Sequence, residues 1–480
     1  MSVKSKIKAL GLERLGPAIA ERQPRRTDLP LETWGLAATP TAFTCDGVDL
    51  HELTRRFGSP LHVVRSAGLD ARITEALAPL RAGAGADVFY SYKTNPVPAV
   101  LRQLHAGGIG AEVISEYEFW LARELGVPGE RIIYNGPAKS PESIAEAIRV
   151  DTYLINANSL ADLGSIIEQA RTVAKPANLG IRVALDGMWA GQFGLDENSE
   201  ELRRMVREAS ASPHVELKAL HFHRGSTMRH IDEVRGHIQS ILAFTDRLRA
   251  ETGWHPEILD IGGSLACATS ASIPQTQFRL NRALGTDTLA PDPTDCALIG
   301  EVSAEAWKLV DRHFSTQDVE APQVILEPGR ALTADSQFLL TTVLDVKGDG
   351  SLPHVVLDAG VNIAESVTNE YHQLFNVSNF DGPAESSYRL VGPICTPADV
   401  LYNNWRMPEP QVGHLLAIMD TGAYCVPFST SFSFPRPAIV LIGTGPSGPV
   451  ATLMRRAETF LDLVARDSTA APTNEAPDTP

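Results

Sequence analysis

The sequence predicts a (β/α)8 barrel of the TIM type followed by a mainly β C-terminal domain, so that an α/β unit is joined to an all-β unit. Two observations carry this prediction. Between about residues 60 and 335, short apolar runs alternate with helical patterns, which is the order that a parallel barrel requires. From about 336 to 465, short strands with glycine and proline turns replace that alternation, which is typical of a β domain.

Composition narrows the class of protein. The chain has 480 residues and a formal net charge of −16, with 43% hydrophobic and 21% charged residues. This length exceeds one ordinary core, so two globular domains are expected. The acidic balance argues against a nucleic acid or a membrane surface as partner. The five cysteines show no metal or disulfide spacing and no run reaches transmembrane length, so we expect a cytoplasmic protein.

Four segments are predicted along the chain. The first and last are polar and rich in proline, and the last has the composition of a disordered tail. The barrel segment is expected to contribute its first strand to the packing of the β domain. The segments are an N-terminal extension (1–40), the barrel (41–335), the β domain (336–466) and the disordered tail (467–480).

Eight runs in the barrel segment are rich in β-branched and aromatic residues and end in turn residues, as strands do. Helical periodicity lies between several of them, as at Glu116–Leu125, Ser140–Arg149 and Ile231–Glu251. The stretch 264–318 is long for one loop and one helix, so we expect an insertion there. The predicted strands lie near 86–92, 109–114, 131–134, 152–155, 180–184, 216–222, 256–261 and 323–327.

The β domain is predicted from five short apolar runs separated by turn residues. An amphipathic helix, Met454–Ala465, is predicted to close the fold. The predicted strands are Phe338–Val346, His354–Asp358, Tyr388–Pro393, His414–Asp420 and Ala438–Ile442.

Lys93 is the most informative residue of the predicted barrel. It ends the strand-like run that begins at Asp87, and Asn95-Pro96 breaks the strand directly after it. Strand ends at this face of a barrel carry the chemistry, so the amine is predicted to point into a pocket. Burial there would lower its pKa and make it a nucleophile. A solvated lysine cap is the alternative.

Two further strand ends carry useful groups. His223 is a candidate for stacking on a flat ring or for proton transfer. His221 shares its face of the strand, so one of the two histidines is expected to be structural. The turn Gly262-Gly263-Ser264 offers backbone N–H groups to an anion, although a tight turn alone explains paired glycines equally well.

The turn Glu327-Pro328-Gly329-Arg330 follows the last predicted barrel strand. A carboxylate there can hold a positive ring nitrogen, and the arginine can bind a carboxylate or a phosphate. An internal ion pair is the alternative. In the β domain, Cys395 and Tyr424 are candidates too, with a small core residue and a packed aromatic ring as their alternatives.

In this order the motifs resemble the pyridoxal-phosphate decarboxylases of the alanine-racemase-like barrel fold, which include the ornithine, lysine, arginine and diaminopimelate decarboxylases. The resemblance covers about residues 36 to 460 and is greatest to the diaminopimelate decarboxylases. The segments that carry it are Cys45–Leu50, Phe57–His62, Tyr92–Pro96, His223–Ser226, Asp260–Gly263, Glu327–Arg330, Gly392–Cys395 and Gly422–Tyr424.

The resemblance implies pyridoxal 5′-phosphate as cofactor and a role for each matching residue. Lys93 resembles the lysine that forms the Schiff base, His223 the histidine stacked on the ring, and Glu327 the partner of the ring nitrogen. Cys395 resembles the cysteine that reaches the partner subunit's site in a head-to-tail homodimer with shared active sites. The other matches resemble contacts of the phosphate or the substrate: Ser226, Gly262, Gly263, Gly329, Arg330 and Tyr424.

The implied reaction is decarboxylation of an amino acid at its α-carbon, with the cofactor as electron sink and with Cys395 or Lys93 returning the proton. An amino-acid racemase on the related fold is one alternative, which Glu327 disfavours because those enzymes place arginine at the ring nitrogen. A catalytically dead regulatory homologue is another, which the retention of Lys93, Glu327 and Cys395 disfavours.

Two departures from the family pattern concern the substrate. Diaminopimelate decarboxylases usually carry an arginine-proline pair and then a tyrosine after the Asp-Ala-Gly strand end, and that arginine holds the distal carboxylate. The segment from Asp358 to His372 has no arginine, and Thr396 replaces the acidic residue that often follows the cysteine. We therefore expect an unusual amino acid or conjugate, as in siderophore or antibiotic synthesis. Diaminopimelate decarboxylation in lysine biosynthesis is the alternative.

Overall fold

A computed structural model describes residues 25–467, apart from Ser226, Gly285 and residues 349–351. Most of the predicted N-terminal extension, nearly all of the predicted tail and the candidate Ser226 therefore lie outside the described residues. The fold begins with a short three-stranded antiparallel sheet and one helix, followed by a longer strand. These are β1 (Leu36–Ala38), β2 (Phe43–Cys45), β3 (Val48–Asp49), α1 (Leu50–Phe57) and β4 (Leu61–Arg65).

Eight parallel strands form a closed barrel, which confirms the predicted fold class. The fourth and fifth of them pair with each other, so the sheet closes on itself. Because both faces of such strands are covered, most of their residues are buried and most are apolar. The barrel strands are β5 (Asp87–Ser91), β6 (Gly110–Val113), β7 (Ile132–Tyr134), β8 (Leu154–Ala157), β9 (Ala177–Ala184), β11 (Val215–Phe222), β12 (Ile258–Asp260) and β14 (Gln323–Leu326), with the short β10 (Leu195–Asp196) beside β9.

Helices connect the barrel strands, and the three helices singled out from periodicity are present. Four of the helices begin at a serine whose Oγ accepts a hydrogen bond from the backbone N–H three residues later, at Ser115, Ser140, Ser159 and Ser199. Such a cap stabilises a helix by about 1 kcal/mol. The helices are α2 (Ser66–Arg81), α3 (Pro98–Ala106), α4 (Glu116–Glu124), α5 (Pro141–Arg149), α6 (Leu160–Val173), α7 (Glu200–Ala211), α8 (Ile231–Thr252), and α10 (Ile299–Phe314).

The predicted insertion holds two elements of its own, the strand β13 (Ala271–Ser272) and the helix α9 (Gln275–Leu284). A single turn of helix, α11 (Arg330–Thr333), then leads out of the barrel. The C-terminal domain is mainly β, as predicted. Its elements are β15 (Gln337–Lys347), β16 (His354–Leu357), β17 (Glu370–Tyr371), β18 (Leu374–Asn376), β19 (Ser386–Val391), β20 (Val400–Met407), β21 (Leu415–Ile418), β22 (Ala438–Gly445), β23 (Gly448–Arg455) and α12 (Phe460–Val464).

The predicted helix Met454–Ala465 is wrong in its first half. Residues Gly448–Arg455 form β23, which pairs with β22 as an antiparallel hairpin. The helix begins only after Thr459, whose side chain accepts a hydrogen bond from the N–H of Asp462. The strand forms because β22 lies in the sheet of the β domain and its free edge offers backbone hydrogen bonds to β23. A short helix over the same residues would gain no such partner.

Strand β4 lies in the sheet of the β domain and not in the barrel. It pairs antiparallel with β15 and parallel with β22. This pairing places His62 in the middle of that sheet, opposite Leu339 and Ile439.

All five cysteines are free thiols, and Cys395 is the exposed one among them. Among the residues the structure describes, no helix is long and apolar enough to span a membrane.

Candidate active site

Polar side chains converge at the C-terminal ends of the barrel strands. They come from eight strands, so no local stretch of sequence contains the site. The members, joined to one another by hydrogen bonds, ion pairs or close charge contacts, are Lys93, Glu112, Asn135, Asn156, Arg182, His221, His223, Asp260 and Glu327.

Glu327 is the centre of this group. It is almost fully buried, its Oε2 lies 3.2 Å from His221 Nε2, and its Oε1 accepts a hydrogen bond of 2.7 Å from Asn135 Nδ2. Burial alone would raise the pKa of Glu327, but His221 and a hydrogen bond shared with Asp260 hold that pKa below its ordinary value. Glu327 is therefore ionised at neutral pH and can accept a hydrogen bond from a protonated ligand atom.

Asp260 is the protonated member of the carboxyl pair. Burial and then the charge of Glu327 raise the pKa of Asp260 well above its ordinary value. Two adjacent carboxylates cannot both ionise in a buried site, so the proton that Asp260 retains supports the charge on Glu327. His221, which sequence reasoning left as a structural alternative to His223, thus belongs to the same network through Glu327.

Asn135 links the two glutamates of the site. Its Nδ2 donates to Glu112 Oε1 at 2.8 Å and to Glu327 Oε1 at 2.7 Å. Its Oδ1 accepts from Asn156 Nδ2 at 2.7 Å, which fixes the orientation of the amide. Ser91 Oγ donates to the second oxygen of Glu112.

Lys93 lies in the turn directly after β5, as predicted, but its pKa differs from the prediction. Burial lowers the pKa of Lys93, while the carboxylate of Glu112, then Tyr424 and Glu327, raise it to a net value above the ordinary one. The expectation of a lowered pKa was wrong because it considered burial without Glu112, which lies on the neighbouring strand. The amine is held as a cation beside two carboxylates.

His223 is a neutral imidazole beside the glycine turn. Its pKa lies well below the ordinary value, because burial and the charge of Lys93 both oppose protonation. The N–H of Gly263 points at His223 Nδ1 from 3.4 Å, and Ser264 Oγ lies 3.4 Å from Nε2. These contacts hold the flat ring at the end of β11.

The glycine turn is required by close backbone approach. Gly262 has φ +74°, and a Cβ there would lie 2.2 Å from the carbonyl oxygen of Phe222. A Cβ on Gly263 would lie 2.3 Å from the carbonyl oxygen of Glu327. The expectation that these N–H groups are free was wrong, because the N–H of Gly262 donates to Asp260 Oδ1 at 3.0 Å and that of Gly263 to His223 Nδ1 at 3.4 Å.

Gly329 allows the turn Glu327–Arg330 to pack closely against the turn that holds Lys93. A Cβ on Gly329 would lie 2.0 Å from Thr94 Oγ1, and the N–H of Ser91 donates to the carbonyl of Pro328 at 3.2 Å. Any larger residue at 329 would push the two turns apart. Tyr424 joins them from the β domain, since its N–H donates to the carbonyl of Thr94 at 2.9 Å.

Arg330 forms an ion pair inside the protein. Its Nη1 and Nη2 donate to the two oxygens of Glu370 at 2.5 and 2.7 Å, and its guanidinium lies 5.3 Å from the centre of the Tyr424 ring. Glu370 belongs to the segment in which the family pattern has its arginine. The same segment therefore reaches the site but contributes a negative charge.

Cys395 is the candidate that the single chain does not bring to the barrel residues. It is exposed on the connection between β19 and β20. Asp399 holds that connection by accepting from the N–H groups of Ile394 and Val361. Among the described residues, no hydrogen bond or ion pair joins the cysteine to Lys93 or Glu327.

Sequence reasoning gave no role to five of the site residues: Glu112, Asn135, Asn156, Arg182 and Asp260. Each is a polar side chain at or just past the C-terminal end of an otherwise apolar barrel strand. That position was the available signal, because a buried polar residue at the chemically active end of a barrel is costly unless it is paired or used.

These residues suit a phosphorylated pyridine aldehyde. An amine, an ionised carboxylate and a neutral planar imidazole lie around one site, and the glycine turns leave its floor without side chains. Lys93 and Tyr424 also line one cavity of about 910 Å³, within the range of about 300–1,000 Å³ that is usual for small-molecule sites.

Comparison with known proteins agrees with this geometry. Residues 70–334 match the family described as pyridoxal-dependent decarboxylase, pyridoxal binding domain. The diaminopimelate decarboxylase of Aquifex aeolicus is 29% identical over 421 residues, which covers 83% of this chain and 90% of that protein. The diaminopimelate decarboxylase of Methanocaldococcus jannaschii is 29% identical over 446 residues, covering 88% and 94%.

Solved structures extend the likeness to three dimensions. The crystal structure of diaminopimelate decarboxylase from M. jannaschii superposes with a TM-score of 0.78 at 27% identity, covering 92% of this chain and 99% of that one. The fold is also that of the lysine/ornithine decarboxylase of Vibrio vulnificus crystallised with putrescine, at a TM-score of 0.64 and 20% identity, covering 82% of this chain and 96% of that one. The chain belongs to the pyridoxal-dependent decarboxylases and is a pyridoxal-phosphate-dependent amino-acid decarboxylase.

Proposed function

We propose that this enzyme removes the α-carboxylate of an amino acid or an amino-acid conjugate. The distal end of this substrate does not need Arg330 as a free cation. The observation that carries the proposal is the ion pair between Arg330 and Glu370. The two terminal guanidinium nitrogens of Arg330, which could bind a substrate carboxylate, already donate to the carboxylate of Glu370. The expectation of a siderophore or antibiotic pathway stays a prediction.

Four groups of the barrel would hold the cofactor. Lys93 Nζ would bond to its carbonyl carbon, His223 would lie against its ring, and Glu327, being ionised, would accept the hydrogen bond of a protonated ring nitrogen. The turns at Gly262-Gly263 and Gly329 would admit its phosphate end, with Tyr424 nearby. When bound, pyridoxal phosphate supplies an electron sink for the electron pair that departing CO2 leaves at Cα.

The chain's own residues then control charge and protons. Asp260 and His221 keep Glu327 ionised, since they lower its pKa against the effect of burial. Proton return to Cα is assigned to Lys93 Nζ or to the Cys395 thiol of a partner subunit. The second assignment depends on a homodimer with shared active sites, which we also propose, because Cys395 is exposed and no contact recorded for the described residues joins it to Lys93.

Diaminopimelate is the second candidate substrate. Two relatives that are 29% identical over more than four-fifths of this chain carry that name. Diaminopimelate differs from the first proposed substrate class in the charge at the distal end of its side chain. It presents both a carboxylate and an ammonium there, and the site would have to bind both.

A screen of CO2 release tests the proposal. Purified enzyme with pyridoxal phosphate is incubated with single amino acids, including meso-diaminopimelate, and with their side-chain conjugates. We expect release from a substrate other than meso-diaminopimelate, and none from the Lys93→Ala variant. Release from meso-diaminopimelate alone would favour the second candidate, and absence of release from every compound would contradict both.

A further inference from the structure

A large cavity extends away from Lys93 between the barrel and the β domain. Its volume is about 910 Å³, which is much more than the α-amino and α-carboxyl groups of a substrate occupy. Its walls are largely apolar, being formed by Ile114, Val426, Phe428 and Ile439. It leads from the reacting amine toward the end of β23.

One arginine at that far end is left without a protein partner. Three arginines line the cavity. Arg436 pairs with Glu458, and Arg456 pairs with Asp462. Within the described part of the chain, the side chain of Arg455 makes neither a hydrogen bond nor an ion pair. Arg455 is exposed to solvent, so its guanidinium, with five N–H donors, lies at the open rim of the cavity.

His62 adds a second donor to the same cavity. Asn95 Nδ2 donates to Gln337 Oε1 at 3.0 Å, which fixes the Gln337 amide so that its Nε2 donates to His62 Nδ1 at 3.3 Å. Because Nδ1 accepts, the neutral ring carries its proton on Nε2. That Nε2 is buried and has no hydrogen-bond partner among the described residues.

The charge state of His62 agrees with this assignment. Burial and then the charge of Arg455 lower the pKa of His62 to about 4, so the ring is neutral at pH 7. Both side chains line the same cavity. Both present N–H donors, and His62 Nε2, being buried, is unfavourable without an acceptor unless a ligand supplies one.

We propose that this cavity binds the distal part of the substrate side chain, with Arg455 binding an anionic terminal group and His62 Nε2 donating to one of its oxygens. The substrate class is an α-amino acid with a long, partly apolar side chain that ends in a carboxylate or another acidic group. A distal ammonium is disfavoured because both groups are donors. Of the carboxyl groups that line the cavity, Glu458 and Asp462 already pair with arginines, and burial raises the pKa of Glu118 to about 7. This inference rests on the proposed function, because it takes Lys93 as the reacting amine.

Matched probes test the inference. The probes are 2-aminopimelate and 2-aminosuberate, each compared with its distal monoamide, and the dissociation constant is measured from the change in cofactor absorbance of the holoenzyme. We expect Arg455→Gln to weaken binding of the distal carboxylates about ten- to a hundredfold and binding of the amides by less than about threefold. Arg149→Gln removes an exposed arginine outside the cavity, where it pairs with Glu146, and is the control that should leave all four constants within about threefold.

The outcomes separate this inference from the decarboxylase proposal. Equal losses for carboxylates and amides in Arg455→Gln, or no loss, would overturn the cavity assignment even if CO2 is released. If the probes bind with the predicted charge dependence but no amino acid or conjugate releases CO2, the decarboxylase proposal falls and the cavity assignment stands. Cofactor content and circular dichroism verify that each variant is folded.

Discussion

Glu370 binds both terminal guanidinium nitrogens of Arg330, and the pair lies beside the ring of Tyr424. The pair is mostly buried, and the pKa of Glu370 is lowered because His372 and Arg330 outweigh the effect of burial. The carboxylate is therefore ionised at neutral pH. It neutralises a cation that would otherwise attract an acidic substrate group, so Glu370 sets the charge of this side of the site.

This relationship predicts that meso-diaminopimelate is a poor substrate. Placing its distal carboxylate against the already paired Arg330 costs on the order of 3–5 kcal/mol. If that carboxylate binds Arg455 instead, the distal ammonium lies beside the donors of the proposed cavity site. We expect kcat/KM below about 10⁴ M⁻¹s⁻¹, the lower end of the usual enzymatic range. Glu370→Gln should raise this value about tenfold or more, because it leaves Arg330 with a free charge.

Steady-state kinetics with coupled CO2 detection decide this prediction. Glu365→Gln removes a charge from the same segment at an exposed position and is the control, with no expected change. A wild-type kcat/KM at or above about 10⁴ M⁻¹s⁻¹ would sink the prediction and restore lysine biosynthesis as the function.

Lys93 is predicted to be the lysine that bonds to the cofactor. Its amine lies beside Glu112 and Glu327 and opens into the cavity. Borohydride reduction of the holoenzyme followed by peptide mapping should mark the Lys93 peptide. Lys139 is the built-in control, since it is also buried but pairs with Asp162 at 2.7 Å. Label on the Lys139 peptide in place of Lys93 would refute the assignment.

The architecture was largely predictable because it depends on short, local signals. Buried parallel strands read as apolar runs, and turn residues such as Asn95-Pro96 mark their ends. The network was not predictable from such signals, because Glu112, Asn135 and Arg182 meet only when the barrel closes. The lowered pKa expected for Lys93 failed for this reason, since its sign is decided by a carboxylate on the next strand.

The C-terminal helix shows a different limit. The apolar residues of the segment from Met454 fit a helix as well as a strand, and local pattern does not distinguish the two. The decision comes from β22, whose edge is adjacent only in the folded protein. The charge around Arg330 was predictable only in part. The sequence shows that the segment from Asp358 to His372 has no arginine, but it does not show that Glu370 pairs with Arg330.

The proposed homodimer with shared active sites predicts complementation between inactive subunits. A Lys93→Ala protomer and a Cys395→Ala protomer are mixed so that heterodimers form, and one of the two hybrid sites then carries both native residues. We expect verified heterodimers to recover up to about half of the specific activity of the wild-type dimer, because one of their two sites is intact. Each variant mixed with itself is the control. If verified heterodimers stay inactive, Cys395 does not act across the interface.

Glu118 predicts a pH-dependent contribution to stability. It is buried beside Lys93 in the cavity and accepts a hydrogen bond of 2.8 Å from the N–H of Ile114. Burial raises the pKa of Glu118 to about 7, whereas an unfolded glutamate titrates near about 4.3. Between those values the folded state binds more protons than the unfolded state, so stability falls as pH rises from about 4.5 to 7.

Replacing the titrating group should remove that slope. Glu118→Gln keeps an oxygen for the Ile114 N–H and cannot ionise, so it should match wild type at pH 4.5 and exceed it at pH 8. The expected gain is on the order of 2 kcal/mol, from the shift in pKa. Urea unfolding at both pH values measures it, with the exposed Glu116→Gln as control. A Glu118→Gln variant whose stability relative to wild type is the same at both pH values would show that Glu118 is ionised throughout, and the charge balance around Lys93 would have to include a third carboxylate.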